Sequence, residues 1–171
     1  IYISYSTPKT PSRTFIYNLK TKEKKLVKEQ IIPSGHNSND YIVERLECEG
    51  HDGRIIPITI TRKKTTKLDG NSNLLLYGYG SYGNSMWPSF SSTRLSLINR
   101  DIIWATAHVR GGMERGMKWW KEGKLLNKKN TFKDYISCAK FLIDKKYTSK
   151  KKIIGMGGSA GGLLMGAVVN E

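Results

Sequence analysis

The chain has 171 residues, 29 Lys and Arg against 14 Asp and Glu, a formal net charge of +15 and 2 cysteines. This length suits one domain with a sizeable core or parts of two, and the two distant cysteines, Cys48 and Cys138, form no zinc or CxxC redox pattern. Ile1 opens no charged-then-apolar leader and no apolar run approaches the ~18 residues of a membrane span, so a soluble, cytoplasmic protein without a membrane partner is expected.

The charge raises nucleic-acid binding as a function class. However, the lysines scatter over residues 20–28, 63–67, 118–129 and 145–152 and far outnumber arginine, whose planar fork suits nucleic-acid sites better. A solvated basic surface is the expectation, and a basic nucleic-acid-binding remnant is the alternative from a different class. Nothing in the sequence asks for a metal or another cofactor.

In chain order, residues 1–30 read as three short antiparallel strands: Ile1 to Ser6, Arg13 to Leu19 and Lys25 to Glu29. They are separated by the turn Thr7 to Ser12 and by a polar turn from Lys20. Short strands with polar turns suit a meander or a propeller blade. A linker follows through Asp40, with His36 a solvated loop residue. Tyr41 to Glu49 and Arg54 to Arg62 form a hairpin about His51-Asp52-Gly53, since Asp-Gly is a strong turn signal. Ile56, Ile58 and Ile60 give its second strand one apolar face, and Pro57 predicts an edge position.

Leu74-Leu75-Leu76-Tyr77 is a continuous apolar run, as in buried parallel strands. Phe90 to Asn99 predicts a helix and Ile102 to Val109 another buried strand. Thr131 to Lys146 predicts a helix with Phe132, Tyr135, Ile136, Ala139, Leu142 and Ile143 at helical spacing, opened by a Thr131-x-x-Asp134 capping box. Lys152 to Met156 is the last strand, and the helix after it is apolar all round, which predicts burial. The alternation of strand and helix is that of an α/β fold with a mostly parallel sheet.

Glycine-rich loops follow three of these strands, at 78–83, 111–112 and 155–162. Ligands of open α/β sheets bind outside the carboxyl ends of the strands, so the loops should converge. The third contains Gly157-Gly158-Ser159-Ala160-Gly161, the Gly-x-Ser-x-Gly pattern, placed between a strand and a helix. A hydroxyl is a poor nucleophile unless held exposed and in line with a base, which a tight strand-to-helix turn does. No Lys-Ser/Thr pair follows the glycines, which disfavours a phosphate loop. The helix beginning after Ser159 aims free N–H groups, Ala160 first, at the place where an oxyanion would form. Tyr79 is a second oxyanion donor or a tyrosine packing its loop. Arg110 either meets a substrate carboxylate or organises loops as an ion-pair partner. His108 ends its strand near the site, but in this architecture the order is serine, acid, histidine, and neither Asp nor His follows Ser159 in the chain.

Several motifs in order carry a resemblance: Leu76 to Gly83, Phe90-Ser91-Ser92, His108 to Gly112, Glu122 to Leu126, Lys129 to Phe132 and Gly157 to Gly166. They resemble the prolyl oligopeptidase family of serine peptidases, and within it the oligopeptidase B (protease II) branch. The resemblance implies the N-terminal half of an α/β-hydrolase domain, residues 41–171, preceded by the end of a β-propeller and a linker, residues 1–40. It implies Ser159 as nucleophile, Tyr79 and the Ala160 N–H as oxyanion donors, and short peptides with Lys or Arg as substrates. It also implies that the triad acid and base lie beyond Glu171, so that the chain is a piece of such an enzyme, inactive alone, whose partner is the rest of the same polypeptide. Post-proline cleavage is the alternative within the family, disfavoured by Ala160 and by residues 122–131. Met113 and Arg115 depart from the family pattern and bear on the geometry of their loop.

Overall fold

Residues 1–171 are all described in the computed structural model, and they build two sheets. β1 (Tyr2–Thr7), β2 (Thr10–Tyr17) and β3 (Lys24–Glu29) form an antiparallel meander in chain order. The first turn is tighter than the sequence predicts, since Thr7 already pairs with Thr10. Pro11 is tolerated inside β2 because the ladder is irregular there, jumping from Thr7 to Tyr5 on the facing strand. His36 is not a solvated linker residue. Its Nε2 lies 2.7 Å from Lys9 O, and its ring stacks on Tyr41 and meets Phe90 edge-on, each at 5.2 Å between centroids. It thus ties the small sheet to the rest of the chain.

The second sheet contains β4 (Tyr41–Glu49), β5 (Ile55–Lys63), β6 (Leu74–Gly78), β7 (Ile103–Ala107) and β8 (Ile153–Met156), in the order β4-β5-β7-β6-β8. β4, β5 and β7 are joined antiparallel, while β7, β6 and β8 run parallel. The hairpin register holds from Tyr41↔Lys63 to Glu49↔Ile55 without a slip.

Pro57 does not mark an edge. β5 lies between β4 and β7, and proline is accommodated because it sits where the β7 ladder ends. Pro57 O accepts the His108 N–H at 2.9 Å. The return bond, which proline cannot donate, is replaced by the Trp119 indole N–H, which reaches His108 O at 3.1 Å.

Helices cover both faces. α1 (Ser92–Ile98) is capped by Ser91, whose hydroxyl accepts the Arg94 N–H, and packs Leu95 and Ile98 on Tyr41, Leu75 and Trp104. α2 (Met117–Lys121) is one short turn that inserts Trp119. α3 (Lys129–Asp144) lays Tyr135, Cys138 and Leu142 on the opposite face, against Ile56, Ile58, Ile60, Leu74 and Leu76. Each fully buried Ile or Leu contributes roughly 1.5–3 kcal/mol. Leu74 and Leu76 face α3 while Leu75 faces α1, which is why this strand reads as an unbroken apolar run.

α4 (Ala160–Val168) departs from its expectation. Only Gly161 and Leu164 are buried, whereas Leu163 is 59% exposed. β8 is an edge strand paired only with β6, so Ile154 and Met156 stay about half exposed and one face of α4 has no neighbour. No helix is long and apolar enough to cross a membrane.

Candidate active site

The carboxyl ends of β6, β7 and β8 lie side by side, and the three glycine-rich loops do converge. Their glycines are where backbone meets backbone. A Cβ added at Gly111, which has φ +97°, would collide with Gly80 O, and one at Gly161 would stand 2.8 Å from Gly78 O and 3.6 Å from the Tyr79 Cα. A side chain at any of these positions would push the loops apart. Gly83 N–H donates to Gly111 O at 3.0 Å, and the Lys128 ammonium donates to Gly80 O at 2.5 Å and to Ser81 Oγ at 2.8 Å. Burial without a carboxylate partner lowers the Lys128 pKa.

Ser159 sits at φ 54°, ψ −122°, a region that non-glycine residues rarely adopt. The strain comes from the sharp reversal between β8 and α4, and it leaves the Ser159 side chain exposed at the top of the sheet. Gly157 is obligatory here, since a Cβ would meet Gly161 O. Gly158 has open space, so only the first and last glycines of the pattern are sterically required. The strain has a measurable consequence: Ser159→Gly is expected to stabilise the chain by about 1 kcal/mol in urea denaturation, while removing the hydroxyl. An unchanged or lower midpoint would mean that the elbow stores no strain in solution.

Directly after Ser159, the backbone N–H groups of Gly161 and Gly162 turn back to Gly158 O and Ser159 O, both at 2.8 Å. Ala160, the first residue of α4, is left with the N–H that a helix start cannot satisfy internally. Tyr79 is half-buried and lies against this first turn, with its Cδ2 3.6 Å from the position a Gly161 Cβ would take. Ser159, Ala160 and Tyr79 are therefore brought together.

Arg110 is not placed to meet a substrate. It is 1% exposed, and four of its N–H bonds go to carboxylates: Nε to Asp134 Oδ2 at 2.8 Å, one terminal nitrogen to Asp52 Oδ2 at 2.6 Å, and the other to both residues. Its backbone N–H also donates to Asp134 Oδ2, at 3.0 Å. Of the two roles open to it in the sequence, the loop organiser is the one the geometry carries.

The predicted capping box is corrected as well. Thr131 and Asp134 are buried inside α3, and Thr131 Oγ1 donates to Arg110 O at 2.7 Å, so both clamp the Arg110 loop and neither caps the helix. His108 is likewise engaged away from Ser159. Its Nε2 is 2.8 Å from Thr59 Oγ1 and its Nδ1 is 3.5 Å from Glu114 Oε1. Of the two departures in this loop, Arg115 donates to Glu47 Oε1 at 2.7 Å.

Beside Ala160 opens a cavity of about 390 Å³, walled among others by Tyr82, Trp120, Leu125, Leu163, Lys124 and Lys128. The Lys124 ammonium lies 3.6 Å from the centroid of the Trp120 ring. Sequence reasoning missed these walls. Their only signal was the richness of residues 79–82 and 119–120 in aromatic side chains.

The profile of the prolyl oligopeptidase family matches residues 88–171. Dipeptidyl aminopeptidase BI of Pseudoxanthomonas mexicana is 45% identical over 168 residues, which is 98% of this chain and 23% of that protein. Protease 2 of Moraxella lacunata is 42% identical over 170 residues, 99% of this chain and 25% of that protein. The solved structure of oligopeptidase B from Leishmania major superposes with a TM-score of 0.91 at 39% identity, over 99% of this chain and 24% of that one. The chain spans about a quarter of the length of the relatives it matches. With a shared sequence, a shared fold and a serine elbow in place, the chain belongs to the prolyl oligopeptidase family.

Proposed function

We propose that this chain supplies the nucleophile and the oxyanion site of a serine-type oligopeptidase acting on short peptides. The observation that carries the reading is Ser159, exposed at positive φ with the unpaired Ala160 N–H directly after it. Ser159 Oγ attacks the scissile carbonyl, the Ala160 N–H and the Tyr79 hydroxyl donate hydrogen bonds to the oxyanion, the C–N bond breaks and the amine leaves as the acyl group passes to Ser159, and water then releases the acid. None of the three histidines is hydrogen-bonded to Ser159: the ring nitrogens of His36, His51 and His108 lie near Lys9 O, Asp52 and Thr59 instead. In this reading the base and its orienting acid come from residues outside these 171. In this reading residues 1–40 are the end of a propeller domain and 41–171 the first part of the hydrolase domain.

Cleavage after Lys or Arg follows the kinship with protease 2 and oligopeptidase B. One observation favours a second reading, post-proline cleavage. The cavity beside Ala160 is walled by aromatic, aliphatic and cationic side chains and offers no carboxylate for a basic residue. The test uses a fluorophosphonate probe and peptide amides ending in Arg, Lys or Pro. The 171-residue chain alone is expected to show no hydrolysis that Ser159→Ala abolishes. The same chain, continuous with the remainder of its polypeptide, is expected to be labelled at Ser159 and to turn over Arg and Lys amides faster than Pro amides. Ser159-dependent turnover by the 171 residues alone would overturn the assignment of the base, and faster turnover of Pro amides would select the second reading.

A further inference from the structure

We propose that the groove between α1 and the end of β8 is the docking surface for a segment that follows α4 in the continuing polypeptide, which sets a carboxylate on Arg94 and an apolar side chain between Trp87, Trp104 and Met156. This rests on the reading that these residues continue into a longer serine peptidase.

On the α1 face of the sheet, the register lines up two rows: Trp104, Leu75 and Ile154, then Thr106, Tyr77 and Met156. α1 covers the Trp104 end of these rows through Leu95 and Ile98. The β8 end is bare, with Ile154 and Met156 half exposed. Here lies a cavity of about 380 Å³ walled by Tyr77, Met86, Trp87, Leu97, Trp104 and Met156. Tyr77 and Trp104 stack at 6.1 Å between centroids, and Trp87 is 79% exposed. Aromatic and thioether walls that face water together mark an interaction surface.

Arg94 is the one charged residue of that lining. Its guanidinium carbon stands 5.4 Å from the centroid of the Trp104 ring, and its side chain has neither a carboxylate nor a hydrogen-bond partner, while its backbone N–H is held by Ser91 Oγ. By contrast, Arg62 meets Glu44 at 2.7 Å, and Arg110 meets Asp52 and Asp134. Burial disfavours the Arg94 charge and lowers its pKa. A purely apolar occupant would take this guanidinium further out of water with nothing to pair it, so the occupant has to bring an acid.

Topology names the occupant. α4 lies on the other face of the sheet, where Leu164 joins Tyr135 of α3 in one cluster. A right-handed crossover through α4 lays the next parallel strand against the free edge of β8 and leaves the α1 face of β8 uncovered. Its cover comes from sequence later still.

The test uses the continuous polypeptide with p-benzoylphenylalanine in place of Trp87, followed by irradiation and peptide mapping. A cross-link is expected within one molecule, to a peptide that follows residue 171 and carries an Asp or Glu. Replacing that acid by its amide is expected to make Arg94 many-fold more reactive towards phenylglyoxal, with Arg13 on the small sheet as the unchanged reference. Cross-links confined to residues 1–171, made to sequence before them or formed between molecules would overturn the proposal, as would an Arg94 equally reactive with and without the acid. Mapping of the unaltered polypeptide needs no variant, and an Arg94 as reactive there as Arg13 would also overturn it. Fluorophosphonate labelling of Ser159 in the same samples keeps the two readings apart. Labelling without the cross-link removes the docking segment and leaves the peptidase reading standing, and the cross-link without labelling does the reverse.

Discussion

Arg110→Met is expected to lower the stability of the chain by about 3–5 kcal/mol, read as a large drop in the urea midpoint. The substitution keeps most of the volume and removes the charge that Asp134, 0% exposed, and Asp52 are both built around. Burial disfavours the charge on Arg110, but hydrogen bonds to the two carboxylates more than offset it and hold the guanidinium protonated. Without it, Asp134 is a buried carboxylate left with the backbone N–H of residue 110 as partner. Asp134→Asn, which keeps much of the hydrogen bonding and drops the charge, should cost less. Asp52→Ala should cost less still, since that carboxylate is about one-third exposed and solvent screens its share.

The pH dependence of this clamp has a definite sign. Burial pushes the Asp52 carboxyl up, but the hydrogen bond and charge of Arg110 outweigh this and hold it below its usual range. A depressed carboxyl stabilises the fold above its unfolded pKa of ~3.9, and that contribution is lost as the pH falls through the folded value. The Arg110→Met chain should therefore lose part of the acid dependence seen in the unaltered chain. A midpoint change under about 1 kcal/mol would show that the clamp does not organise the loops. The same variant should loosen the Tyr79 loop, because Arg110 O holds Thr131 and its neighbour Gly111 packs on Gly80.

The distribution of what could be read from the sequence follows from physics that is local or not. The strands, the Tyr41 to Arg62 hairpin and the elbow were legible because period-two alternation, an Asp-Gly turn and a Gly-x-Ser-x-Gly pattern each act within a few residues. Pro57 misled because its tolerance depends on where a strand remote in sequence stops and on an indole N–H from Trp119. Thr131 and Asp134 have the spacing of a capping box, and only the packing of α3 against the Arg110 loop shows that they serve another segment. α4 reads as buried because its composition is apolar all round, yet burial depends on neighbours that β8, as an edge, does not have.

Gly157→Ala is expected to cost about 2–3 kcal/mol and to abolish fluorophosphonate labelling of Ser159 in the continuous polypeptide. An added Cβ would meet Gly161 O, stand 2.8 Å from Gly161 C and 3.0 Å from Gly78 O. All three are backbone atoms that no rotamer change can clear, so β8 and α4 must separate and the Ala160 N–H must leave the Tyr79 loop. Gly158→Ala provides the internal comparison, because nothing lies within 4 Å of its Cβ. It should change stability by less than about 0.5 kcal/mol and leave labelling intact. Gly162→Ala, also in open space and within α4, should stabilise by up to about 1 kcal/mol through helix propensity. Chemical denaturation of the three variants, paired with labelling, thus separates steric need from mere membership of a glycine-rich loop. If Gly157→Ala and Gly158→Ala behaved alike, the elbow would not be the tight crossing from which the nucleophile role of Ser159 is argued.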